Sequence, residues 1–346
     1  MSEKLTAKLL GVGGLIKATP DDFLVEELPA YLPSGEGTHT FLFIEKRGLN
    51  TEDALAALCR ALGVRRDAAG AAGMKDRQAV TRQWVSVPDV APEAALALTL
   101  PGVTVLSAAR HGNKLRTGHL RGNRFHVTIR GIQCEQPIAI ARAEAIIAAL
   151  VETGLPNFYG PQRFGARGDN ASRGRALLVE GRECKLRVGR SERRLLISAF
   201  QSELFNRYLS ARLRDGLLRT AILGDVLRKR ESGGLFVAED LADANERLRA
   251  GTLDVTGPMY GSEMKAPPPG TPAQVREDET LRAAEVSVAL FANAGPLAEG
   301  TRRPLTVPVE APEVVPGPSK DSILLRFSLP SGAYATVLVD EVTKNQ

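Results

Sequence analysis

The sequence predicts an α+β fold, and three observations support that prediction. Apolar residues recur at helical spacing after Asn50, and they alternate with polar residues at strand spacing over residues 125–132. The apolar content of 43% in a chain of 346 residues is enough for well-formed cores and for two domains of ordinary size. The chain therefore holds both kinds of element and the apolar surface needed to pack them.

The predicted helices are marked by their ends as well as by their spacing. Residues 50–63 fit a helix with Asn50 as N-cap and a C-terminal glycine as stop. Residues 137–154 form an Ala- and Ile-rich run that opens on proline and closes on glycine. Ser198 and Gln201 form a capping box, which predicts a helix start at that point. The apolar side of that helix carries Phe200, Leu204, Phe205, Leu209 and Leu213.

Four runs have strand character. Residues 83–87 follow a glycine-rich turn, and residues 125–132 alternate so that Phe125, Val127 and Ile129 share one face. Residues 323–329 and 334–339 flank a Pro-Ser-Gly turn. The last two runs are too few to make a domain, so we expect them to return to the sheet built by the first 150 residues.

Two proline-rich stretches punctuate the second half of the chain. Residues 266–270 (APPPG) predict an extended surface loop. Residues 304–318 predict a semi-extended connector that precedes the final strand-like runs.

The composition indicates a cytoplasmic protein without a membrane partner. The start MSEK leads into no apolar segment of signal-peptide type, and no apolar run is long enough to cross a bilayer. Cys59, Cys134 and Cys184 are far apart and odd in number. This spacing is typical of reduced thiols rather than of a disulfide framework or a zinc site.

The distribution of charge says more than the formal net charge of +5. No Asp or Glu occurs between Ala94 and Cys134, where the cations are Arg110, Lys114, Arg116, Arg121, Arg124 and Arg130. A second, more diluted cluster comprises Arg182, Lys185, Arg187, Arg190, Arg193 and Arg194. Such clusters suit contacts with nucleic-acid phosphates, although a solvated surface has the same composition.

The most distinctive phrase is residues 70–87 (GAAGMKDRQAVTRQWVSV). Its glycines let the backbone bend and approach a ligand closely. Asp76 stands among the cations Lys75, Arg77 and Arg82, which would keep its carboxylate ionised and favour an anionic partner. A carboxylate held this way can act as nucleophile or base. An isolated Lys-Asp pair is more typical of a solvated charged turn, and it is the whole phrase that favours a functional site.

This phrase and five others, in the same order, resemble the TruD family of tRNA pseudouridine synthases. The other five are residues 22–27 (DFLVEE), 122–125 (GNRF), 157–165 (NFYGPQRFG), 200–206 (FQSELFN) and 326–336 (RFSLPSGAYAT). The resemblance covers nearly the whole chain. It implies a pseudouridine-synthase core with a mixed, mainly antiparallel sheet flanked by helices. That core would be discontinuous, over residues 1–156 and 304–346, with an inserted α/β TRUD domain at 157–303.

The resemblance also implies an activity. The chain would isomerise a uridine of tRNA, position 13 in the D-arm, to pseudouridine, with Asp76 as the catalytic residue. Pseudouridine formation breaks the bond from uracil N1 to ribose and rejoins the ring through C5. Because nothing is oxidised and no atom is added, no redox cofactor, ATP or metal is required. The expected partner is tRNA, and the expected state is a monomer.

Base binding is expected to require eversion of the target uridine from its stack. By resemblance, Phe23 and Phe327 line the base site and Asn123 hydrogen-bonds nearby. The residues alone leave alternatives open. Phe23 and Phe327 alternate with polar residues as core positions do, and an Asn after a Gly is a common turn residue. Phe125 is assigned to the core.

Several charged residues are candidates for supporting roles. Lys75, Lys17 or an arginine would pair with Asp76, and Glu26 or Glu27 would partner a cation. Within residues 157–165, Arg163 would contact a phosphate if the phrase is a hinge between domains, whereas a tightly packed turn is the alternative.

The sequence is also compatible with a function of another class. A non-catalytic tRNA-binding or tRNA-folding protein would use the same basic surface. The two functions differ in whether the charge of Asp76 is needed.

Overall fold

The structure is a computed structural model that describes residues 3–75, 77, 79–181, 184 and 186–345. In chain order its strands are β1 (Phe23–Pro29), β2 (His39–Lys46), β3 (Gly70–Ala71), β4 (Val80–Pro88), β5 (Val103–His111), β6 (Leu120–Arg130), β7 (Leu155–Pro156), β8 (Val226–Lys229), β9 (Leu235–Val237), β10 (Leu253–Met259), β11 (Thr301–Pro304), β12 (Thr306–Val307), β13 (Glu310–Pro316) and β14 (Ser322–Pro330). Its α-helices are α1 (Thr51–Leu62), α2 (Pro92–Leu96), α3 (Gln136–Thr153), α4 (Asn170–Val179), α5 (Arg190–Arg214), α6 (Leu241–Arg249), α7 (Pro272–Ala283), α8 (Val288–Asn293) and α9 (Ala335–Thr343).

The largest sheet runs in the order β13-β14-β6-β1-β4-β2-β5, and the short β3 pairs with β4. Strands β1 and β4 are parallel, whereas the other neighbours in this sheet are antiparallel. Strand β14 pairs with β6 from Ser322↔Arg130 to Pro330↔Gly122, so the expected return of the chain to the first sheet is confirmed. The α+β class and the mixed, mainly antiparallel sheet are confirmed as well.

The elements with the clearest sequence signals form where they are expected. On β6, Phe125, Val127 and Ile129 are buried, and α3 packs its apolar side into the same core. Helix α1 begins after Asn50, whose side chain accepts a hydrogen bond from the Asp53 N–H at 2.8 Å. It ends at Gly63, which adopts a left-handed conformation with φ of 67°.

A second sheet, in the order β11-β10-β8-β9, is built from the middle of the chain and packs against α5. Two buried ion pairs lie beside it. Arg212 donates to both carboxylate oxygens of Asp225 at 3.0 Å, and Arg302 donates to Glu277 at 2.7 Å. These pairs attach α5 and α7 to the sheet and the loops around it.

Strands β7 and β12 form a short ladder with Thr306 opposite Pro156. Beyond it, the Asn157 N–H donates to the Leu305 carbonyl at 2.8 Å, and the Arg303 guanidinium donates to the Asn157 side-chain oxygen at 2.5 Å. The entry and exit of segment 157–303 are therefore adjacent. The division of the chain into domains at these points stays a prediction.

The predicted strand at residues 334–339 is wrong, because this segment begins helix α9. Its β-branched residues account for the strand signal. The buried residues Ala335, Leu338, Val339 and Val342 lie at positions i, i+3, i+4 and i+7, and the helix packs against α3. Packing on one helical face decides the conformation.

Two further predictions are corrected. Helix α5 begins at Arg190 with Gly189 as N-cap, so Ser198 and Gln201 lie inside the helix and do not cap it. The arginine-rich first turns are solvated and carry little apolar periodicity. Residues 304–318 are not only a connector, because β13 lies at the edge of the large sheet. Proline is tolerated in an edge strand, where one row of N–H groups has no partner strand.

Candidate functional site

A cleft of about 330 Å³ opens over the large sheet where the loop before β4 meets the segment before α9. The strands contribute Phe23, Val25, Thr81, Asn123 and Phe125 to its walls. Other segments contribute Lys17, Met74, Lys75, Ala79, Gln162, Ala333, Tyr334, Ala335 and Thr336. The cleft thus combines aromatic rings with a few polar groups, as ligand sites commonly do.

Strand register explains how β1 and β6 supply one wall. Phe23, Val25 and Glu27 alternate along β1 and are buried on the same face. Val25 lies opposite Phe125, and Glu27 lies opposite Asn123 on β6. The side chains of these pairs leave the same side of the sheet.

The aromatic residues form a layered group. The Phe23 and Phe125 rings meet edge to face at 6.3 Å, and the Phe125 and Phe327 rings stack at 5.4 Å. Phe23 and Phe125 line the cleft, whereas Phe327 is 1% exposed and lies behind Phe125. Phe125, predicted to be a core residue, belongs to both the core and the cleft, whereas Phe327, predicted to line the base site, does not line the cleft.

Lys17 brings a positive charge to the aromatic wall. It has a positive φ of 61°, which is uncommon for a residue with a side chain. Its ammonium lies 4.5 Å from the centroid of the Phe23 ring, a favourable cation–π distance.

A second cation, Lys75, lies in a buried polar network. Its ammonium donates to the Asn123 side-chain oxygen at 2.5 Å and lies 3.4 Å from a carboxylate oxygen of Glu27. The Glu27 side chain is fully buried and also accepts from the Trp84 N–H at 3.4 Å. Burial raises the pKa of Glu27, and the nearby Lys75 charge opposes this rise.

The loop that carries Lys75 is hydrogen-bonded to the start of α1. The Lys75 backbone N–H donates to the Thr51 hydroxyl at 2.8 Å, and that hydroxyl donates to the side-chain oxygen of the buried Gln83 at 3.0 Å. Asp76, the predicted catalytic residue, follows Lys75 directly in the sequence but lies outside the described residues. On its other side, Arg77 donates to the Gly48 carbonyl at 2.8 Å.

The remaining predicted residues lie away from this network. Glu26 points to the other face of β1, where it pairs with Arg124 at 3.1 Å and with Arg82 at 3.7 Å. Arg163 donates to the hydroxyls of Ser198 and Ser202 on α5. Its guanidinium thus contacts α5 rather than the cleft.

Some cleft residues were missed by sequence reasoning. Tyr334, Thr336 and Gln162 lie within the phrases that carry the family resemblance, so this signal was present. Thr81 lies within residues 70–87, which carry the same resemblance. Its hydroxyl is buried and has no hydrogen-bond partner among the described residues, and neither has the Gln83 side-chain nitrogen.

The acid-free region between Ala94 and Cys134 is partly neutralised by acids from elsewhere. Arg121 pairs with Glu310 at 3.4 Å, and Arg130 pairs with the buried Asp22 at 2.8 Å. Hydrogen bonds from Arg130 and the Thr19 N–H outweigh the burial of Asp22 and hold its pKa below the usual range. In the second basic cluster, Arg182 and Lys185 lie outside the described residues.

Two features are absent from the described part of the chain. No group of three or more His, Cys, Asp and Glu side chains there could hold a metal ion. No helix there is long and apolar enough to cross a membrane. Cys59, Cys134 and Cys184 are free thiols.

The fold has a counterpart among solved structures. A crystal structure assigned to tRNA pseudouridine synthase D of Methanosarcina mazei superposes with a TM-score of 0.81 and covers 100% of this chain and 97% of that one. The identity to it is 23%, so this likeness concerns the fold.

Sequence comparisons define the family. The profile described as tRNA pseudouridine synthase D (TruD) matches residues 2–185 and 182–342. A protein named tRNA pseudouridine synthase D from Anaeromyxobacter sp. (strain Fw109-5) is 46% identical over 343 residues, 98% of this chain and 95% of that protein. A protein of the same name from Thermus thermophilus is 42% identical over 344 residues, covering 98% and 91%. The chain belongs to the TruD family of tRNA pseudouridine synthases.

Proposed function

We propose that this protein isomerises a uridine of tRNA to pseudouridine in the cleft over the large sheet, with Asp76 as the catalytic residue. The observation that carries the proposal is the position of Lys75, which lines that cleft and directly precedes Asp76 in the chain. Family membership supports the same reaction.

The reaction rearranges one bond of the substrate. The bond between uracil N1 and ribose C1′ breaks, the ring turns, and C5 bonds to C1′; C5 loses a proton and N1 gains one. An ionised aspartate can attack the sugar or the base, or remove a sugar proton. Each of these routes needs a carboxylate free of its proton.

The charged groups around the cleft favour that ionised state. A carboxylate in a closed site takes up a proton unless a cation lies near it. Lys17 and Lys75 both line the cleft, the first over the Phe23 ring and the second beside Asn123. They are the cations we propose to support Asp76.

The aromatic residues suit an everted base. Removing a base from its stack costs a few kcal/mol, and part of this is recovered by contact with aromatic rings. Phe23 and Phe125 line the cleft, Phe327 supports Phe125 from behind, and Asn123 adds an amide at the edge. We assign these four residues to binding of the base.

The finer identity of the substrate is also a proposal. We propose position 13 in the D-arm of tRNA as the target, a monomer as the working form, and the cytoplasm as the location. The catalytic core would comprise residues 1–156 and 304–346, and segment 157–303 would form the inserted domain. The adjacent ends of that segment at β7 and β12 support this division.

The decisive experiment is Asp76→Asn, assayed for pseudouridine in tRNA and for tRNA binding. We expect product formation to fall by about 10²- to 10⁴-fold, since the amide cannot act as nucleophile or base, while binding is retained. Asp67→Asn is the matched control, because Asp67 is exposed and pairs with Arg65 away from the cleft.

The alternative function, a tRNA-binding or tRNA-folding protein without catalysis, predicts the opposite result. Asp76→Asn would then leave function intact, since a neutral isostere binds an anionic RNA at least as well. Mapping pseudouridine in tRNA from cells with and without the gene tests position 13 separately. Loss of a mark outside the D-arm would refute the position and leave the chemistry standing.

A further inference from the structure

The contact between Lys75 and Asn123 fixes the orientation of an amide in the cleft. An ammonium group has only hydrogen-bond donors, so the amide oxygen of Asn123 must face it. The 2.5 Å distance from Lys75 Nζ to Asn123 Oδ1 has this arrangement. The NH₂ group of Asn123 therefore points away from Lys75, and no group among the described residues accepts a hydrogen bond from it.

Lys75 is itself held in place by Glu27. The two charged groups are 3.4 Å apart, and their side chains are 9% and 0% exposed. Because Glu27 lies opposite Asn123 in the β1–β6 ladder, the carboxylate and the amide leave the same side of the sheet, where the Lys75 ammonium contacts both. The Trp84 N–H contacts the other carboxylate oxygen. Glu27, Lys75 and Asn123 form a fixed chain that ends at the cleft.

A fixed amide has a chemical preference. An Asn side chain that is free to turn can present either its oxygen or its NH₂ group, and so it accepts both kinds of partner. With its oxygen bound to Lys75, Asn123 presents a donor. Uracil carries carbonyl oxygens at C2 and C4, whereas cytosine has an amino group at C4. A donor facing that edge hydrogen-bonds to the C4 oxygen of uracil. Opposite cytosine it meets the C4 amino group, which is also a donor, so both donors stay unpaired.

We propose that Glu27 and Lys75 are positioning residues that hold the Asn123 NH₂ group toward the C4 edge of the target base, and that this donor selects uracil over cytosine. The inference rests on the proposed function, because it concerns the base bound in the same cleft. It assigns to Lys75 a role distinct from support of Asp76, since orientation of the amide acts on the choice of base.

The experiment measures binding of two tRNA transcripts that carry uridine or cytidine at the position where the wild-type protein forms pseudouridine. Both are measured by equilibrium titration in the Asp76→Asn background, where uridine is not converted. We expect the parent to prefer the uridine transcript by about 10-fold or more. Lys75→Met should reduce the preference to about threefold or less, because the freed amide can turn.

Further variants separate orientation from general damage. Lys75→Arg retains a cationic donor and should keep most of the preference. Asn123→Asp presents an acceptor and should abolish the preference or reverse it. Glu27→Gln should weaken it by loosening Lys75. Arg77→Met removes a cation from the same loop, outside the cleft lining, and should leave the ratio unchanged.

The outcomes distinguish the two proposals. A wild-type protein that forms no pseudouridine in any tRNA would remove the proposed function, and this inference with it. An active wild-type protein whose base preference survives both Lys75→Met and Asn123→Asp would overturn the inference alone. A uniform loss of affinity for both transcripts, with an unchanged ratio, would assign Lys75 a purely electrostatic role and would also overturn it.

Discussion

Two buried ion pairs in this molecule differ in how directly their charged groups are hydrogen-bonded. Beside the second sheet, Arg212 and Asp225 meet through two hydrogen bonds of 3.0 Å, and two further Arg212 N–H groups donate to the carbonyls of Leu217 and Thr220. In the cleft, Lys75 and Glu27 are 3.4 Å apart. One Glu27 oxygen has no hydrogen-bond partner among the described residues.

The difference separates a structural pair from a pair in a binding site. Burying a charge without hydrogen bonds is costly, so a pair that serves stability alone is expected to be fully satisfied. The cleft also leaves the Thr81 hydroxyl without a partner among the described residues. The buried Tyr208 hydroxyl near Arg212 is also without a partner among the described residues, so the contrast lies in the pairs themselves: two direct hydrogen bonds join Arg212 to Asp225, whereas a longer contact joins Lys75 to Glu27.

The largest effect is expected at the satisfied pair. Arg212→Met leaves Asp225 buried and unpaired, and should lower the free energy of unfolding by about 3–5 kcal/mol. Urea denaturation measures this change. The control is Arg247→Met, which breaks an exposed pair with Asp243 and should cost about 1 kcal/mol or less. A loss at Arg212 no larger than the control would break the comparison.

An intermediate effect on stability is expected at Asp22, whose carboxylate lies directly before β1 and accepts hydrogen bonds at both oxygens. Asp22→Asn removes hydrogen bonds to a charged acceptor and should cost about 1.5–3 kcal/mol at neutral pH. Because folding lowers the pKa of Asp22, its stabilisation is present above the usual value of 3.8 and is lost as pH falls through the folded value. Unfolding of both proteins at several pH values should therefore converge in acid.

The smallest effect on stability is expected at Glu27, with the opposite dependence on pH. Because folding raises its pKa, the stabilisation from Glu27 is full below the usual value of 4.5 and is lost as pH rises through the folded value. At neutral pH the free energy of unfolding of Glu27→Gln should therefore lie closest to that of the wild type, lower by at most about 1 kcal/mol. A difference that grows as pH rises above 4.5 would show that the pair is stabilising and contradict the contrast with Arg212.

Local signals predicted part of the fold, and long-range packing decided the rest. Caps and spacing located α1 and α3, and alternation located β6. The same reasoning failed at residues 334–339, where strand-forming residues enter α9 because one helical face packs on α3. The start of α5 was missed because its first turns carry arginines rather than an apolar pattern.

The site could be predicted only as far as the family resemblance reached. Phe23 and Asn123 were named from it, and both line the cleft. The contact from Lys75 to Asn123 joins residues far apart in sequence, and the register of β1 against β6 places Glu27 opposite the same Asn123. No local pattern encodes that register. For the same reason, Phe125 and Phe327 could not be ordered as front and back of one stack.

The pairing of β6 with β14 has a consequence for synthesis of the chain. Phe125 leaves the ribosome long before its neighbour Phe327, and at about 5–20 residues per second the delay is on the order of 10–40 s. Throughout that interval one edge of β6 has no partner strand, and an unpaired strand edge can pair with other nascent chains. The order of the strands along the chain therefore leaves this edge of β6 open to such pairing until β14 has been synthesised.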